Sequence, residues 1–212
     1  RYLNSEDINK KAIIYEKDNG EIETFSFGEI EKLATGLAIK LTHLGYGFGD
    51  NIAVHTGQHP DTAIAHMAIC KIGGIAVTLS QLYGPETLKH AMNDCRVEVI
   101  LTSNKVWGNL RNIKSNAFPF LKHIILREPK NNEISLEGAY LSRDDNFKPF
   151  YSKANDPALL MYTSGSTGKP KGILHGHRVL ASYKPSINLF FNLSMQEEGS
   201  VFWSPSDWSW VG

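Results

Sequence analysis

The chain has 212 residues, 42% of them apolar, and its 22 basic side chains balance 22 acidic ones. A length of this order suits one large domain or two small ones. Zero formal charge argues against a protein that binds nucleic acid through phosphate contacts, because such proteins carry a basic excess. Only a local cationic site is expected.

Two cysteines, Cys70 and Cys95, are too few for a disulfide framework, and neither belongs to a C-x-x-C pair, which favours a reducing compartment. The most apolar stretch, residues 63–79, is interrupted by His66, Lys71 and two glycines, so no membrane span is predicted. No signal-peptide pattern precedes it. These features predict a soluble, cytoplasmic protein. The absence of an initial Met and of a helix stop at the end suggests a piece of something longer.

The first predicted helix begins with a capping-box pattern, Ser26 followed by Glu29. Apolar residues then recur at helical spacing from Ile30 to Leu44, and Gly45 ends the run.

Short apolar strands and helices then alternate along the chain. NIAVHT is a predicted buried strand, Pro60 begins a helix that a glycine pair ends, and IAVTL is the next strand. Pro85 begins a further helix before the strand VEVILT, and HIILR and ALLMYT add two more strands. The polar segments REPKNNEIS and SRDDNFKPFYSKANDP are predicted surface connections. The fold class is therefore α/β, with βαβ units that build a mostly parallel sheet covered by helices on both faces.

The stretch TSGSTGKPKG, residues 163–172, follows the last of these strands and concentrates glycines, hydroxyl residues and lysines. Glycines let successive backbone N–H groups form an anion-binding concavity, and Lys169 and Lys171 add positive charge. Each charge-assisted hydrogen bond to a phosphate would contribute about 1.5–3 kcal/mol. A phosphate site is the favoured interpretation, and a surface turn is the plainer alternative.

Two familiar motifs fit this stretch poorly. A Walker loop needs a Lys followed by Ser or Thr, whereas here Pro170 follows Lys169. The spacing Ser166 to Lys169 matches the S-x-x-K of serine acyl-transferring enzymes, but Gly168 and Pro170 disfavour the helical turn that this motif requires. GILH predicts a short strand instead, with a helix that begins near His177.

At these residues the sequence resembles the adenylate-forming enzymes, which include acyl-CoA synthetases, luciferases and the adenylation domains of peptide synthetases. Their signature, T-S-G-[ST]-T-G-x-P-K-G, is matched at every position from Thr163 to Gly172. The segment Leu33–Val77 resembles the corresponding part of this family, and WSPSDWSWVG resembles the segment that lines the acyl pocket in the acetate and medium-chain synthetases. The acyl-CoA synthetase branch is the best fit.

The resemblance implies a reaction in two steps. A carboxylic acid attacks Mg²⁺-bound ATP to give an acyl-adenylate and pyrophosphate, and the thiol of coenzyme A then displaces AMP. Residues 1–212 would be the N-terminal portion of the AMP-binding domain, without the rest of that domain or the C-terminal domain and its lysine, and therefore inactive alone. An adenylation domain that loads a carrier protein and a non-catalytic nucleotide-binding relative stay open as alternatives. The expected partners are small molecules, with no oligomeric state predicted.

The resemblance also assigns roles to residues. The ATP phosphates would contact the signature stretch, in which Thr167 and Lys171 are the candidate catalytic residues. The stretch comprises Thr163, Ser164, Gly165, Ser166, Thr167, Gly168, Lys169, Pro170 and Lys171.

The carboxylic acid would contact His177, Trp210, Val211 and Gly212. Acetate-specific members have Thr where this chain has Gly212, so a roomier pocket predicts a short- to medium-chain fatty acid longer than acetate. Packing is the alternative for His177, and a core role is the alternative for the tryptophans of this segment. No metal site is predicted, because two histidines two residues apart, without a further ligand nearby, bind metal poorly.

Overall fold

The computed structural model describes residues 7–108, 110, 117–163, 168–194, 197 and 199–209. Strands and helices alternate along most of this length. The strands are β1 (Lys11–Glu16), β2 (Ile22–Ser26), β3 (Asn51–His55), β4 (Ile75–Thr78), β5 (Val99–Ser103), β6 (His123–Arg127), β7 (Ile134–Ser135), β8 (Pro157–Thr163) and β9 (Lys171–Gly176). The helices are α1 (Phe27–His43), α2 (Pro60–Lys71), α3 (Pro85–Asp94), α4 (Asn104–Trp107), α5 (Leu136–Tyr140) and α6 (Arg178–Phe190).

The main sheet has the strand order β7-β6-β5-β3-β4-β8-β9. All neighbouring strands run parallel except β8 and β9, which are antiparallel. After β3 the chain adds β4 on one side, and after β4 it crosses to the other side of β3 to add β5. The sheet therefore reverses its winding direction between β3 and β5, where open α/β sheets bind their ligands.

Each face of the sheet has its own apolar core. Alternate residues of one strand point to opposite faces, so Ile52 and Val54 of β3 pack on one side and Ala53 on the other. The first core also contains buried residues of α1, α2 and α5. The second contains Leu88 of α3 and Trp107 of α4. The predicted parallel sheet with helices on both faces is confirmed.

Most predicted elements lie where the sequence places them. The capping box of α1 is present, since the hydroxyl of Ser26 accepts from the Glu29 N–H and the Glu29 carboxylate accepts from the Ser26 N–H. β9 and α6 follow the signature stretch as predicted, and Cys70 and Cys95 are free thiols. Within the described residues, no helix combines the length and the apolar character that crossing a membrane would require.

Two parts of the chain differ from the expectation. REPKNNEIS is not wholly a surface connection, because Arg127 ends β6 and Ile134–Ser135 form the edge strand β7. Residues 7–26 form an antiparallel hairpin of β1 and β2 that was not predicted. Arg127 ends β6, as the predicted strand HIILR has it, and its guanidinium reaches a buried carboxylate described below.

Candidate functional site

The candidate site lies at the edge of the sheet where the parallel strands have their carboxyl ends. β3, β4, β5, β6 and β8 all run in the same direction, so the segments that follow them emerge side by side. The signature stretch is one of these segments. It leaves β8 at this edge and returns into β9.

The two stems of the signature stretch face each other. Thr163 at the end of β8 pairs with Lys171 at the start of β9, so the chain leaves and re-enters the sheet at neighbouring positions. Gly168 has φ +110°, a conformation that residues with a side chain rarely adopt, which explains why a glycine stands there. Ser164, Gly165, Ser166 and Thr167 lie outside the described residues. The side chains of Lys169 and Lys171 are exposed, and neither forms an ion pair within the described part of the chain.

Gly172, in the stem that leaves the signature loop, has little space for a side chain. Gly172 pairs with Tyr162 across the β8–β9 ladder, and a Cβ at Gly172 would lie 3.2 Å from both Cδ1 of Leu160 and Cζ of the Tyr162 ring. The Tyr162 hydroxyl donates to Oδ2 of Asp94 at 2.8 Å. Burial and this hydrogen bond raise the pKa of Tyr162 well above its usual range. The ring is therefore a neutral, anchored platform beside the loop stem.

The C-terminal segment is held at the same edge. Oγ of Ser80, just past β4, donates to Oδ2 of Asp207 at 2.6 Å. Nε2 of Gln58, in the loop after β3, donates to the carbonyl of Ser206 at 2.6 Å. Burial alone would raise the pKa of Asp207, but its hydrogen bonds from Ser80 and Ser209 outweigh that effect and lower it. Residues 205–207 thus lie against the loops that follow β3 and β4.

A cavity of about 610 Å³ opens where the winding direction of the sheet reverses. It lies among the loops after β3, β4, β5 and β6, with Gln58, Gln81, Lys105 and Asp207 among its lining residues. A volume of this size is in the range of small-molecule sites, and its position fits the rule for ligand binding in open α/β sheets.

A buried carboxylate forms part of the wall of this cavity. The side chain of Asp61 is 3% exposed and accepts two hydrogen bonds from Arg127, with Nε to Oδ2 at 2.6 Å. The hydroxyl of Tyr140 donates to Oδ1 at 2.7 Å. Burial alone would raise the pKa of Asp61, but the contacts with His59 and Arg127 outweigh it, so the pKa lies well below its ordinary range. Asp61 is therefore a permanently ionised anchor for the loops of this edge.

His55 ends β3 beneath the same loops and is 1% exposed. Its Nε2 donates to the carbonyl of Ser80 at 3.2 Å, and its Nδ1 is buried without a hydrogen-bond partner among the described residues. Burial lowers the pKa of His55 to about 4. His55 is therefore neutral at physiological pH.

The structure separates some of the predicted site residues. His177 precedes α6 at the opposite end of β9 from Lys171, which is a distance of roughly 17–20 Å along an extended strand. Its Nε2 is buried and has no hydrogen-bond partner in the described part of the chain. Trp203 and Trp208 are 79% and 40% exposed, so neither fills a core within the described residues. Trp210, Val211 and Gly212 lie outside the described residues.

Sequence reasoning missed the residues that hold this edge together. Tyr83, His90 and Asp94 contact the stems of the signature loop from 68 to 80 residues away along the chain, and no local sequence pattern predicts such contacts. Gln58 and Ser80 could have been suspected, because polar residues that follow neighbouring parallel strands meet at one edge of the sheet.

A parallel sheet that carries a lysine-bearing, glycine-rich loop at its carboxyl edge is typical of α/β proteins that bind nucleotides. The family model of the AMP-binding enzymes matches residues 4–212, and the chain belongs to this family. It is 27% identical to an acetyl-coenzyme A synthetase of Gemmatimonas aurantiaca and 25% identical to a 3-hydroxypropionyl-coenzyme A synthetase of Sulfurisphaera tokodaii. These alignments cover 100% of the chain but only 35% and 34% of the relatives, so it spans about a third of their length.

Solved structures show the same fold. An acetoacetyl-CoA synthetase from Streptomyces lividans superposes with a TM-score of 0.82 at 19% identity, over 95% of this chain and 33% of that one. An acyl-CoA synthetase from Brucella canis gives a TM-score of 0.81 at 17% identity, over 95% of this chain and 36% of that one. The α/β fold is therefore that of known acyl-CoA synthetases.

Proposed function

We propose that residues 1–212 are the N-terminal portion of an AMP-binding domain in an enzyme that activates a carboxylic acid with ATP and transfers the acyl group to coenzyme A. Mg²⁺ would enter with ATP as part of that substrate. Membership of the AMP-binding family and likeness to relatives named as coenzyme A synthetases support this reaction class. The observation that carries the proposal is the pairing of Thr163 with Lys171, which closes the signature loop at the carboxyl edge of the sheet.

The signature loop would hold the phosphates of ATP while charge moves onto the departing pyrophosphate. Backbone N–H groups around Gly168 and the ammonium groups of Lys169 and Lys171 supply donors without side-chain obstruction. Donors that are already in place stabilise developing charge without reorganisation at the moment of reaction. Lys171 and Thr167 are the proposed catalytic contacts, and Thr163, Ser164, Gly165 and Ser166 complete the phosphate site.

The acid would bind on the side of the C-terminal segment. Ser80 and Gln58 hold this segment at the carboxyl edge, which supports the proposal that Trp210, Val211 and Gly212 form a wall of the acyl pocket. His177 lies too far from Lys171 to share a phosphate, so its proposed contact is with another part of the substrates.

The phosphate assignment is tested by acid-dependent exchange between ATP and pyrophosphate in the complete protein that contains this chain. We expect Lys171→Ala and Thr167→Ala each to slow exchange by roughly 10²–10³-fold, as loss of one preorganised donor does elsewhere. The KM for the acid should change little. Lys148→Ala, which removes an exposed lysine from a surface connection, is the matched control. Wild-type exchange in both loop variants would refute the assignment.

One assay tests both which carboxylic acid is activated and which acceptor receives the acyl group. A panel of straight-chain acids, scored by coenzyme A-dependent release of AMP, should be turned over best at a chain length above acetate. Gly212→Thr should shift the preference to shorter acids, by about fourfold per methylene if a buried methylene is worth about 0.8 kcal/mol. AMP release that requires a carrier protein instead of coenzyme A would move the function to carrier loading.

A further inference from the structure

Helix α3 and the turn before it touch both stems of the signature loop. The hydroxyl of Tyr83 donates to the carbonyl of Tyr162 at 2.8 Å, on the stem that enters the loop. Nε2 of His90 contacts the carbonyl of Pro170 at 2.8 Å, on the stem that leaves it. Because a carbonyl oxygen can only accept, Nε2 of His90 must carry the proton. One short segment therefore holds the loop at its entrance and its exit.

The contact with Tyr162 lies where β8 no longer has β4 as a neighbour, and the contact with Pro170 lies just before β9 begins. The last residue pair between β4 and β8 is Thr78 with Met161, so Tyr162 is already past the end of β4. Pro170 precedes β9. Side chains of the α3 segment thus supply partners where β4 has ended and where β9 has not yet begun.

The ring of Tyr162 links the two contacts. Its hydroxyl donates to Asp94 at 2.8 Å, and its ring meets the ring of His90 edge-on, with centroids 6.2 Å apart. Across the ladder, the absence of a side chain at Gly172 makes room for it. The ring therefore has fixed neighbours on α3 and on β9.

A cleft separates α3 from the stem that leaves the signature loop, and a hydrogen bond from His90 crosses it. A cleft of about 590 Å³ lies between α3 and the loop and is lined by Lys89 and Asn93 on one side and by Lys169 and Pro170 on the other. Within the described residues, the hydrogen bond from His90 spans this otherwise open space. A glycine-rich loop has much conformational freedom to lose, so a single bond at its exit can determine where the following lysine lies.

We propose that His90 and Tyr83 are positioning residues that hold the signature loop in the conformation that binds phosphate. The proposal rests on the phosphate role of the loop given above. His90 and Tyr83 bond to backbone carbonyls, so they act on the reaction only through the position of the loop. A site held rigidly by its supporting contacts is more effective than one left to fluctuate.

The loop itself can be observed by hydrogen exchange and mass spectrometry of the complete protein without ligands. We expect His90→Phe and Tyr83→Phe to speed the exchange of amides between residues 163 and 172 by roughly five- to tenfold, the effect of one lost hydrogen bond. Exchange in β3 and β5 should not change. His43→Phe, the same substitution at an exposed position of α1, should leave the loop unchanged. Unchanged loop exchange in both variants would overturn the proposal, whatever reaction the protein catalyses.

Kinetics separate positioning from a general loss of structure. His90→Phe should lower the rate of ATP–pyrophosphate exchange and raise the KM for ATP, with the KM for the acid unchanged. His90→Gln offers an amide N–H near the place of Nε2 and should restore most of the rate. A rate that falls equally in the Gln variant, together with a lower melting temperature, would show a merely structural role and overturn the proposal. Absence of acid-dependent exchange in the wild type would refute the proposed function and leave the hydrogen-exchange result to decide the positioning role.

Discussion

Asp61 illustrates how one residue can organise the edge of the sheet. Its carboxylate is nearly inaccessible to water, yet Arg127 and Tyr140 satisfy it from two different elements. A buried charge is tolerated only when it is paired and hydrogen-bonded. The carboxylate therefore connects the start of α2 with the end of β6 and the end of α5.

We expect Tyr140→Phe to lower the free energy of unfolding by roughly 1.5–3 kcal/mol, because it removes a hydrogen bond to a charged acceptor. Tyr46→Phe is the matched comparison. It removes a hydroxyl that contacts Nδ1 of His123 at 2.7 Å, a bond to a ring nitrogen that should cost only about 0.5–1.5 kcal/mol. Urea denaturation of both variants tests the order, and equal losses would contradict the role given to the Asp61 charge.

At the scale of elements, the β8–β9 pair joins the fold to the loop. Tyr162 lies opposite Gly172, and the Asp94 contact prevents the ring from moving aside. The glycine of the signature at this position is therefore explained by packing as well as by any contact with phosphate.

Gly172→Ala should be destabilising by about 1–3 kcal/mol, the usual cost of overpacking. Gly47→Ala serves as the control, because a Cβ there meets nothing within 4 Å. In a Tyr162→Leu background the Gly172→Ala cost should shrink, since one of the two side chains that lie 3.2 Å from the new Cβ is gone and only Leu160 remains. Thermal denaturation of the single and double variants measures this coupling, and strictly additive effects would argue against the ring as the obstacle.

The elements that could be predicted are those whose signals are local. Ser26 with Glu29 marks the start of α1, and the prolines at the first turns of α2 and α3 mark theirs. The hairpin of β1 and β2 had a usable signal, because Asn19 and Gly20 form a typical turn pair between two apolar stretches. β7 had almost none, because it is two residues long and is defined by its neighbour β6.

The same distinction between local and long-range signals applies to the candidate site. The signature stretch is contiguous, so its glycines, hydroxyls and lysines could be recognised together. The contacts of Tyr83, His90 and Asp207 join residues far apart in the chain, and only the folded sheet brings them to one edge. Local patterns thus predict the chemistry of the loop, whereas its supports require the structure.

At the scale of the whole molecule, the common direction of the parallel strands brings the buried charge of Asp61 and the candidate site to one edge of the sheet. The anchored Asp61, the neutral His55, the C-terminal segment and the signature loop all lie where parallel strands end. The contacts that stabilise this edge also hold the candidate site, so we expect conditions that alter buried charges to affect both.

Acid is the condition that tests this coupling most directly. Burial lowers the pKa of His55 and of His66 to about 4, whereas an unfolded histidine titrates near 6.5. Between those two values the unfolded chain takes up protons that the folded chain does not, so the free energy of unfolding falls as the pH decreases from about 6.5 to 4. Each histidine should cost roughly 2–4 kcal/mol across this window. Asp61 contributes to acid sensitivity only at lower pH. Because its pKa is depressed in the folded chain, its stabilisation is complete above about pH 3.9 and is lost only below that pH.

We therefore expect urea denaturation of the complete protein to show a steep loss of stability between pH 6.5 and 4. His66→Leu removes one of these two titrating groups, a half-buried histidine of α2, and should make the profile clearly shallower in that window, with no change in slope above pH 7. The comparison within one variant separates titration from packing, because a packing loss shifts the whole profile by a constant amount while a titration loss changes its slope. A His66→Leu profile parallel to that of the wild type from pH 7.5 to 4 would show that His66 does not contribute to acid sensitivity, and the loss of stability would then have to come from His55 and the carboxylates of the same edge.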